Sequence, residues 1–197
     1  MGTISIVVLA IIGILALWGI GVYNRLITLR NQVKNAWSQI DVQLQRRYDL
    51  IPNLVETAKG YMNFEKGTLE AVIQARNQAV AARESVQRQG GPTEGSLKEL
   101  LGAEATLGGA LGKVFALVES YPQLRASEPL MKLQEELSST ENKVAFSRQA
   151  YNDQVLDYNT AQQKFPTALL SGIFGHHPSD LYEVESVEVR KAPKVSF

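Results

Sequence analysis

The chain has 197 residues, no cysteine, and equal numbers of basic and acidic side chains, 20 Lys+Arg and 20 Asp+Glu. A neutral chain lacks the strong positive field that attracts nucleic acid, and a chain without cysteine has neither disulfides nor thiol chemistry. Aromatic residues are few, at 8%, while Ala, Leu, Val, Gln and Glu are abundant. This composition favours helix over sheet. We therefore expect an all-α protein with no nucleic-acid partner.

The N-terminal segment has the features of a membrane anchor. Its first 24 residues carry no charged side chain, and the run from Ile4 to Val22 is almost wholly apolar. At ~1.5 Å per residue, a helix of this length spans roughly 30 Å, the thickness of a bilayer's hydrocarbon core. No basic residue precedes the run and no small-x-small cleavage site follows it, so a cleaved signal peptide is disfavoured. We predict a transmembrane anchor over residues 1–23.

The charges that flank this anchor predict its orientation. Arg25, Arg30 and Lys34 follow the apolar run closely, and the first acidic residue is Asp41. An excess of Lys and Arg marks the cytoplasmic flank of a transmembrane helix. We expect the N-terminus outside and the rest of the chain in the cytoplasm. The opposite orientation would place the rest of the chain in a periplasm.

Apolar residues at steps of three, four and seven begin immediately after the anchor and predict four long helices. The first runs without a break from the membrane to about Met62, with a kink at Pro52. The second covers 64–86, and the third is capped by Ser96 with Glu99 completing a capping box. The fourth is capped by Ser127 and stops at Pro166. We predict a long antiparallel four-helix bundle over residues 24–165, whose first helix is continuous with the transmembrane helix.

The remaining residues, 166–197, are predicted to form a membrane-proximal amphipathic segment and an extended tail. The summed helix lengths return the chain close to the membrane surface, where an apolar face follows. We assign to the membrane interface Phe165, Leu169, Leu170, Ile173 and Phe174. The alternative is that these side chains pack onto the base of the bundle. The tail ends in Val195 and Phe197, which could dock on a partner, although such tails are more often disordered.

Residues that could carry chemistry are scarce. The two histidines, His176 and His177, are adjacent in a Gly/Pro-rich segment, and two ligands there make a poor metal site. No Walker loop, dinucleotide fingerprint, zinc-protease motif or serine elbow is present. We expect no enzymatic activity, no cofactor, no metal and no small-molecule substrate.

Two features indicate assembly instead. Gly108 and Gly112 share one face of the third helix and allow a neighbouring backbone to come close, either the second helix of the same chain or another subunit. Asn142, Asn152 and Asn159 lie close to the apolar stripe of the fourth helix, where asparagine can fix the register between partners. On an exposed face they would only be solvated. We take Gly108, Gly112, Val195 and Phe197 as candidate partner or self-association contacts.

Several stretches together resemble the LemA family. They are AWSQIDVQLQRRYDLIPNLV from Ala36 to Val55, the Glu-Ser-Tyr-Pro stretch at 119–122, LQEELSSTEN at 133–142, RQAYNDQVLDYN at 148–159, and the Phe-Pro pair at 165–166. The agreement covers nearly the whole chain in order. The tail departs from the common pattern because Val187, Val189 and Arg190 replace a more acidic stretch.

The resemblance implies a single-span protein of the bacterial inner (plasma) membrane with a cytoplasmic helical bundle and no known enzymatic activity. Genes of this family often lie beside that of a heat-shock membrane metalloprotease, and a related branch helps to build the magnetosome membrane. We expect a non-enzymatic, membrane-anchored scaffold that contacts the lipid bilayer, forms a homo-oligomer, and organises or remodels the inner membrane. The alternative is an adaptor or regulatory partner of a membrane protease in the envelope stress response.

Overall fold

The computed structural model describes residues 2–60 and 65–183, and all regular structure in these two ranges is helical. The helices are α1 (Gly2–Lys59), α2 (Lys66–Arg88), α3 (Glu94–Ser120), α4 (Pro122–Arg125), α5 (Glu128–Gln163) and α6 (Ala168–Ser171). Four of them are long and two are single turns. The all-α prediction and its four long helices are therefore confirmed.

Helix α1 has two parts with different surroundings. It runs unbroken for 58 residues and continues through Pro52, as predicted. Every residue from Gly2 to Trp18 is exposed, whereas from Leu26 onward one side of the helix is buried in the bundle. The first part has the length and apolar composition of a membrane anchor. The predicted end near Met62 lies outside the described residues.

The bundle is built from three helix pairings. Helix α1 packs along α5 and, through its C-terminal half, along α2, while α2 packs along α3. The Arg83 guanidinium on α2 donates to both carboxylate oxygens of Asp41 on α1, at 2.6 and 3.1 Å. The rings of Trp37 on α1 and Tyr151 on α5 meet edge to face, with centroids 5.7 Å apart. Helices α3 and α5 are less closely packed, and a cavity of about 400 Å³ lies between them.

A buried polar cluster joins α1 to α3. Arg47 Nη1 donates to Glu104 Oε2 at 2.8 Å, and the Tyr48 hydroxyl donates to the other oxygen of the same carboxylate. Both charged side chains are about nine-tenths buried, with exposed fractions of 9% for Arg47 and 11% for Glu104. Burial, together with the charge of Glu104, strongly raises the pKa of Tyr48, so its hydroxyl stays protonated and remains a donor.

The beginning of α3 differs from the prediction. The N-cap is Thr93, and the hydroxyl groups of Thr93 and Ser96 each accept a hydrogen bond from the other residue's backbone N–H. The prediction that Ser96 caps the helix with Glu99 is therefore wrong, because Thr93 has the extended backbone that an N-cap needs and Ser96 already lies inside the first turn. Ser127 is the N-cap residue of α5, as predicted, but its side chain makes no capping hydrogen bond.

Candidate membrane-proximal site

The C-terminal end of α5 lies beside the part of α1 where the apolar run ends. Lys164 and Phe165 line a common cavity with Trp18 and Val22. A short distance along the chain, the ring of Phe174 packs edge-on against Tyr23, with centroids 5.3 Å apart. The chain therefore returns to the end of the bundle that is nearest the apolar run, which we call the membrane-proximal end.

The five side chains assigned to the membrane interface divide into two groups. Phe165, Leu169 and Ile173 point outward, with exposed fractions of 82%, 65% and 76%. Leu170 and Phe174 are half-buried, and Phe174 packs against the bundle core. The outward group places three large apolar side chains on the surface at the membrane-proximal end.

Beyond this group, an extended segment, residues 176–183, lies along α5 and is held by two asparagines. The amide group of Asn159 donates to the backbone oxygen of Ser179 and accepts from its backbone N–H, both at 2.9 Å. Asn152 makes the same pair of bonds to Tyr182, at 3.2 and 2.8 Å. We call these two side chains the asparagine clamp. Their predicted roles, register between partners or simple solvation, are not what the structure shows.

The spacing of the clamp follows from helix and extended-chain geometry. Asn152 and Asn159 are seven residues apart, a rise of about 10 Å along a helix. Ser179 and Tyr182 are three residues apart, which in extended chain also spans about 10 Å. The two distances match, so both asparagines reach the segment at once. The segment runs antiparallel to α5. A side-chain amide presents a donor and an acceptor as a peptide group does, so each asparagine pairs with the segment's backbone as a neighbouring strand would.

Two tyrosines beside the clamp hold the same segment. The Tyr151 hydroxyl donates to the backbone oxygen of Asp180 at 2.9 Å, and the Tyr158 hydroxyl lies 2.9 Å from Nδ1 of the buried His176. The ring of Tyr182 lies against Trp37 and under the guanidinium of Arg148, whose Cζ is 4.4 Å from the ring centroid. Burial raises the pKa of Tyr182 to about 12. Hydrogen bonds and ring contacts therefore fix the segment along its length.

The stability of the segment is expected to decrease below neutral pH because of His176. Burial, followed by the charges of Arg30 and His177, lowers the pKa of His176 below its ordinary value of 6.5, and the aromatic rings of Tyr23 and Tyr158 cover it. As the pH falls from 6.5 through the folded-state pKa, the unfolded chain binds more protons than the folded chain. The free energy of unfolding therefore decreases across that window and is unaffected by this group above it.

Urea unfolding at about pH 7.5 and about pH 5.5, on either side of an ordinary histidine pKa, measures this effect. We expect the midpoint to fall at the lower pH and His176→Gln to reduce that fall. The matched control is His177→Gln, which removes an exposed neighbour and should keep most of the wild-type difference. An unchanged pH dependence in His176→Gln would show that other groups cause it.

The candidate self-association residues have open space around them. A Cβ atom built on Gly108 or Gly112 would meet no atom within 4 Å, and both glycines line the cavity between α3 and α5. The close approach of α2 to these glycines, one of the two predicted alternatives, is therefore absent from the monomer. Val195 and Phe197 lie outside the described residues.

The two asparagines of the clamp, for which the sequence predicts the wrong partner, belong to a repeated dipeptide. Tyr151-Asn152 and Tyr158-Asn159 are the same dipeptide repeated after seven residues. Repetition at two helical turns places both dipeptides on one side of α5. In the structure both dipeptides bind residues of the extended segment.

Comparison with known proteins identifies the family. The sequence profile of the LemA family matches residues 36–197. The chain belongs to the LemA family. The clamp, the extended segment and the membrane-proximal end of α5 all lie inside the matched region.

Three relatives extend this comparison. The magnetosome protein MamQ of Magnetospirillum gryphiswaldense is 29% identical over 167 residues, which are 78% of this chain and 61% of that protein. The MamQ 2 protein of Paramagnetospirillum magneticum is 27% identical over 82% of this chain and 64% of its own length. Protein LemA of Metamycoplasma hominis is 27% identical over 93% of this chain and 77% of its own. This chain thus spans less than two thirds of its MamQ relatives, and none of these names denotes an enzyme.

Proposed function

We propose that this LemA chain is a non-enzymatic scaffold of the bacterial inner membrane, anchored by α1, with its bundle in the cytoplasm and with self-association as its mode of action. The observation that carries the proposal is a group of three exposed apolar side chains at the membrane-proximal end, which we take as a second membrane contact. Phe165, Leu169 and Ile173 are exposed there beside the end of the apolar run. The similarity of this chain to proteins named for the magnetosome supports a role in organising a membrane.

A second membrane contact would fix the orientation of the bundle, which a single transmembrane helix does not. One helix leaves the attached bundle free to tilt and to rotate about the helix axis. A second contact, on α6 and its flanks, restricts both motions because it lies to one side of α1. Each apolar side chain that leaves water stabilises the contact by about 1.5–3 kcal/mol when fully buried. Copies held in one orientation present the same face to each other, as a scaffold requires.

The second contact predicts that the chain beginning at Asn24, which lacks the anchor, still binds vesicles. We expect Leu169→Glu/Ile173→Glu to abolish most of this binding in a vesicle co-sedimentation assay, because a carboxylate does not enter the apolar layer beneath the lipid headgroups. The matched control is Phe146→Glu/Leu156→Glu, which changes two apolar side chains of α5 that are similarly exposed, at 72% and 61%. Equal binding of both variants would contradict the second contact.

The face that Gly108 and Gly112 share is our proposed self-association face. Together with Leu111 and Leu137 they line an open groove between α3 and α5. Glycine costs about 1 kcal/mol relative to alanine inside a helix, and no contact among residues 2–60 and 65–183 explains that cost at these two positions. Glycine at these two positions would leave the groove open to the side chains of a second copy of the chain, which would explain the cost.

The mass of the full-length protein in mild detergent, measured by light scattering, tests self-association directly. We expect a discrete assembly that persists in the chain beginning at Asn24, and we expect Gly108→Leu/Gly112→Leu to reduce it to single chains. The matched control, Gly102→Leu/Gly109→Leu, changes two exposed glycines of the same helix that do not line this groove and should leave the mass unchanged. A single-chain mass for the wild-type protein would overturn the proposed function.

A further inference from the structure

A second cavity, of about 450 Å³, lies at the membrane-proximal end between α1 and the end of α5. Its apolar walls are Trp18, Val22 and Phe165, and Gly21 leaves space between Trp18 and Val22 on the helix face. A Cβ atom on Gly21 would meet nothing within 4 Å. The cavity is therefore open where α1 is apolar.

Two cationic side chains also line this cavity. Arg25 lines it from α1 and Lys164 lines it from the end of α5. Within the part of the chain that the structure describes, neither side chain forms an ion pair or a hydrogen bond with a protein side chain or backbone group. Both are exposed. Two positive charges thus line one cavity, and no described residue supplies either of them with a counter-charge.

The order of these residues along α1 matches the profile of a bilayer surface. Trp18, Gly21, Val22 and Arg25 follow one another at steps of three and one and lie on one side of the helix, with the tryptophan deepest in the apolar run and the arginine just beyond its end. The rise from Trp18 to Arg25 is about 10 Å, enough to reach from the edge of the hydrocarbon core through a headgroup region of about 5–7 Å. Tryptophan is enriched at the membrane–water interface in membrane proteins.

We propose that this cavity binds the headgroup of an anionic phospholipid, with Arg25 and Lys164 on its phosphate and an acyl chain against Trp18, Val22 and Phe165. The inference rests on the proposed function, because it requires α1 to cross the membrane. An arginine fork fits a phosphate with two hydrogen bonds, and a lysine adds a second positive charge. A zwitterionic lipid carries its own cation beside the phosphate, so two uncompensated charges favour an anionic one.

Native mass spectrometry of the full-length protein in mild detergent, supplied with an equimolar mixture of phosphatidylglycerol and phosphatidylcholine, tests the site. We expect phosphatidylglycerol to be retained in preference to phosphatidylcholine. Arg25→Gln/Lys164→Gln should reduce that retention about tenfold, a change of about 1.4 kcal/mol. The matched control, Arg46→Gln/Lys143→Gln, removes two exposed positive charges from the same two helices outside the cavity and should retain lipid as the wild type does.

A second variant tests the apolar part of the cavity without changing charge. Gly21→Leu should fill the space that the acyl chain occupies and reduce retention, whereas Gly19→Leu, which does not line the cavity, should not. Equal retention of the two lipids, equal retention by both charge variants, or displacement of phosphatidylglycerol by millimolar inorganic phosphate would overturn the lipid site. Phase partition in Triton X-114 distinguishes failure of the lipid site from failure of the proposed function. A chain that enters the aqueous phase has no membrane anchor, which contradicts the proposed function. A chain that enters the detergent phase but does not select between the two lipids lacks only the lipid site.

Discussion

Replacing Glu104 with alanine is expected to lower the free energy of unfolding by about 3–5 kcal/mol, because the change leaves a buried charge without its partner. Arg47 is 8% exposed as a whole residue, and its guanidinium donates to the carboxylate that Tyr48 also binds. Removing the carboxylate leaves one guanidinium and one hydroxyl buried with no acceptor. The cluster is also a main link between α1 and α3, which otherwise contact each other little.

Urea unfolding of the chain beginning at Asn24 measures this loss. The control is Glu99→Ala, which removes an exposed carboxylate from the same helix and should change stability by less than about 0.5 kcal/mol. The double variant Arg47→Met/Glu104→Leu should recover the part of the loss that comes from the buried charge, since an apolar pair of similar volume replaces both charges, whereas the Tyr48 hydroxyl still lacks its acceptor. Equal effects of Glu104→Ala and Glu99→Ala would show that the cluster does not stabilise the fold.

Removing both side chains of the asparagine clamp is expected to release the extended segment from α5. Asn152→Ala/Asn159→Ala eliminates four hydrogen bonds to the segment's backbone. At about 0.5–1.5 kcal/mol per bond, the docked state loses roughly 2–6 kcal/mol. The bundle core beneath should persist, because the buried stripe of α5 is unchanged.

Hydrogen exchange of two backbone amides measures the release directly. The N–H groups of Ser179 and Tyr182 donate to the clamp, so their exchange should accelerate by at least about tenfold, the factor that 1.4 kcal/mol produces. Asn142→Ala, an exposed asparagine on the same helix, should leave both rates unchanged. Wild-type exchange in the double variant would mean that the tyrosine and ring contacts alone hold the segment.

The long helices could be predicted because their signals are local. The step of three and four residues in the buried stripe of α1 predicts one continuous helix, and the structure has it. The start of α3 was predicted less well, since Thr93 and Ser96 both carry hydroxyl groups and backbone conformation chose between them. Propensity ranks these two residues almost equally as N-caps.

The clamp was assigned to the wrong partner for a different reason. The sequence places Asn152 and Asn159 near the stripe of a helix, but not the backbone that will lie against them. That backbone comes from 20 residues or more further along the chain, in a segment without helical or strand periodicity of its own. Gly108 and Gly112 show the same limit, because their spacing predicts a close neighbour on one face without saying which element approaches it.

The sequence by itself determined the apolar anchor, the four long helices, the all-α class and the resemblance to the LemA family. Each of these depends on residue type and spacing along one stretch of chain, through hydrophobic periodicity and span length. Only the tertiary structure decided the partners of polar side chains, Glu104 with Arg47 and the clamp with residues 179 and 182, and only it placed Arg25 and Lys164 at the same cavity. Hydrogen bonds and ion pairs are short-ranged and directional, so their partners are fixed by how helices pack and not by their order in the chain.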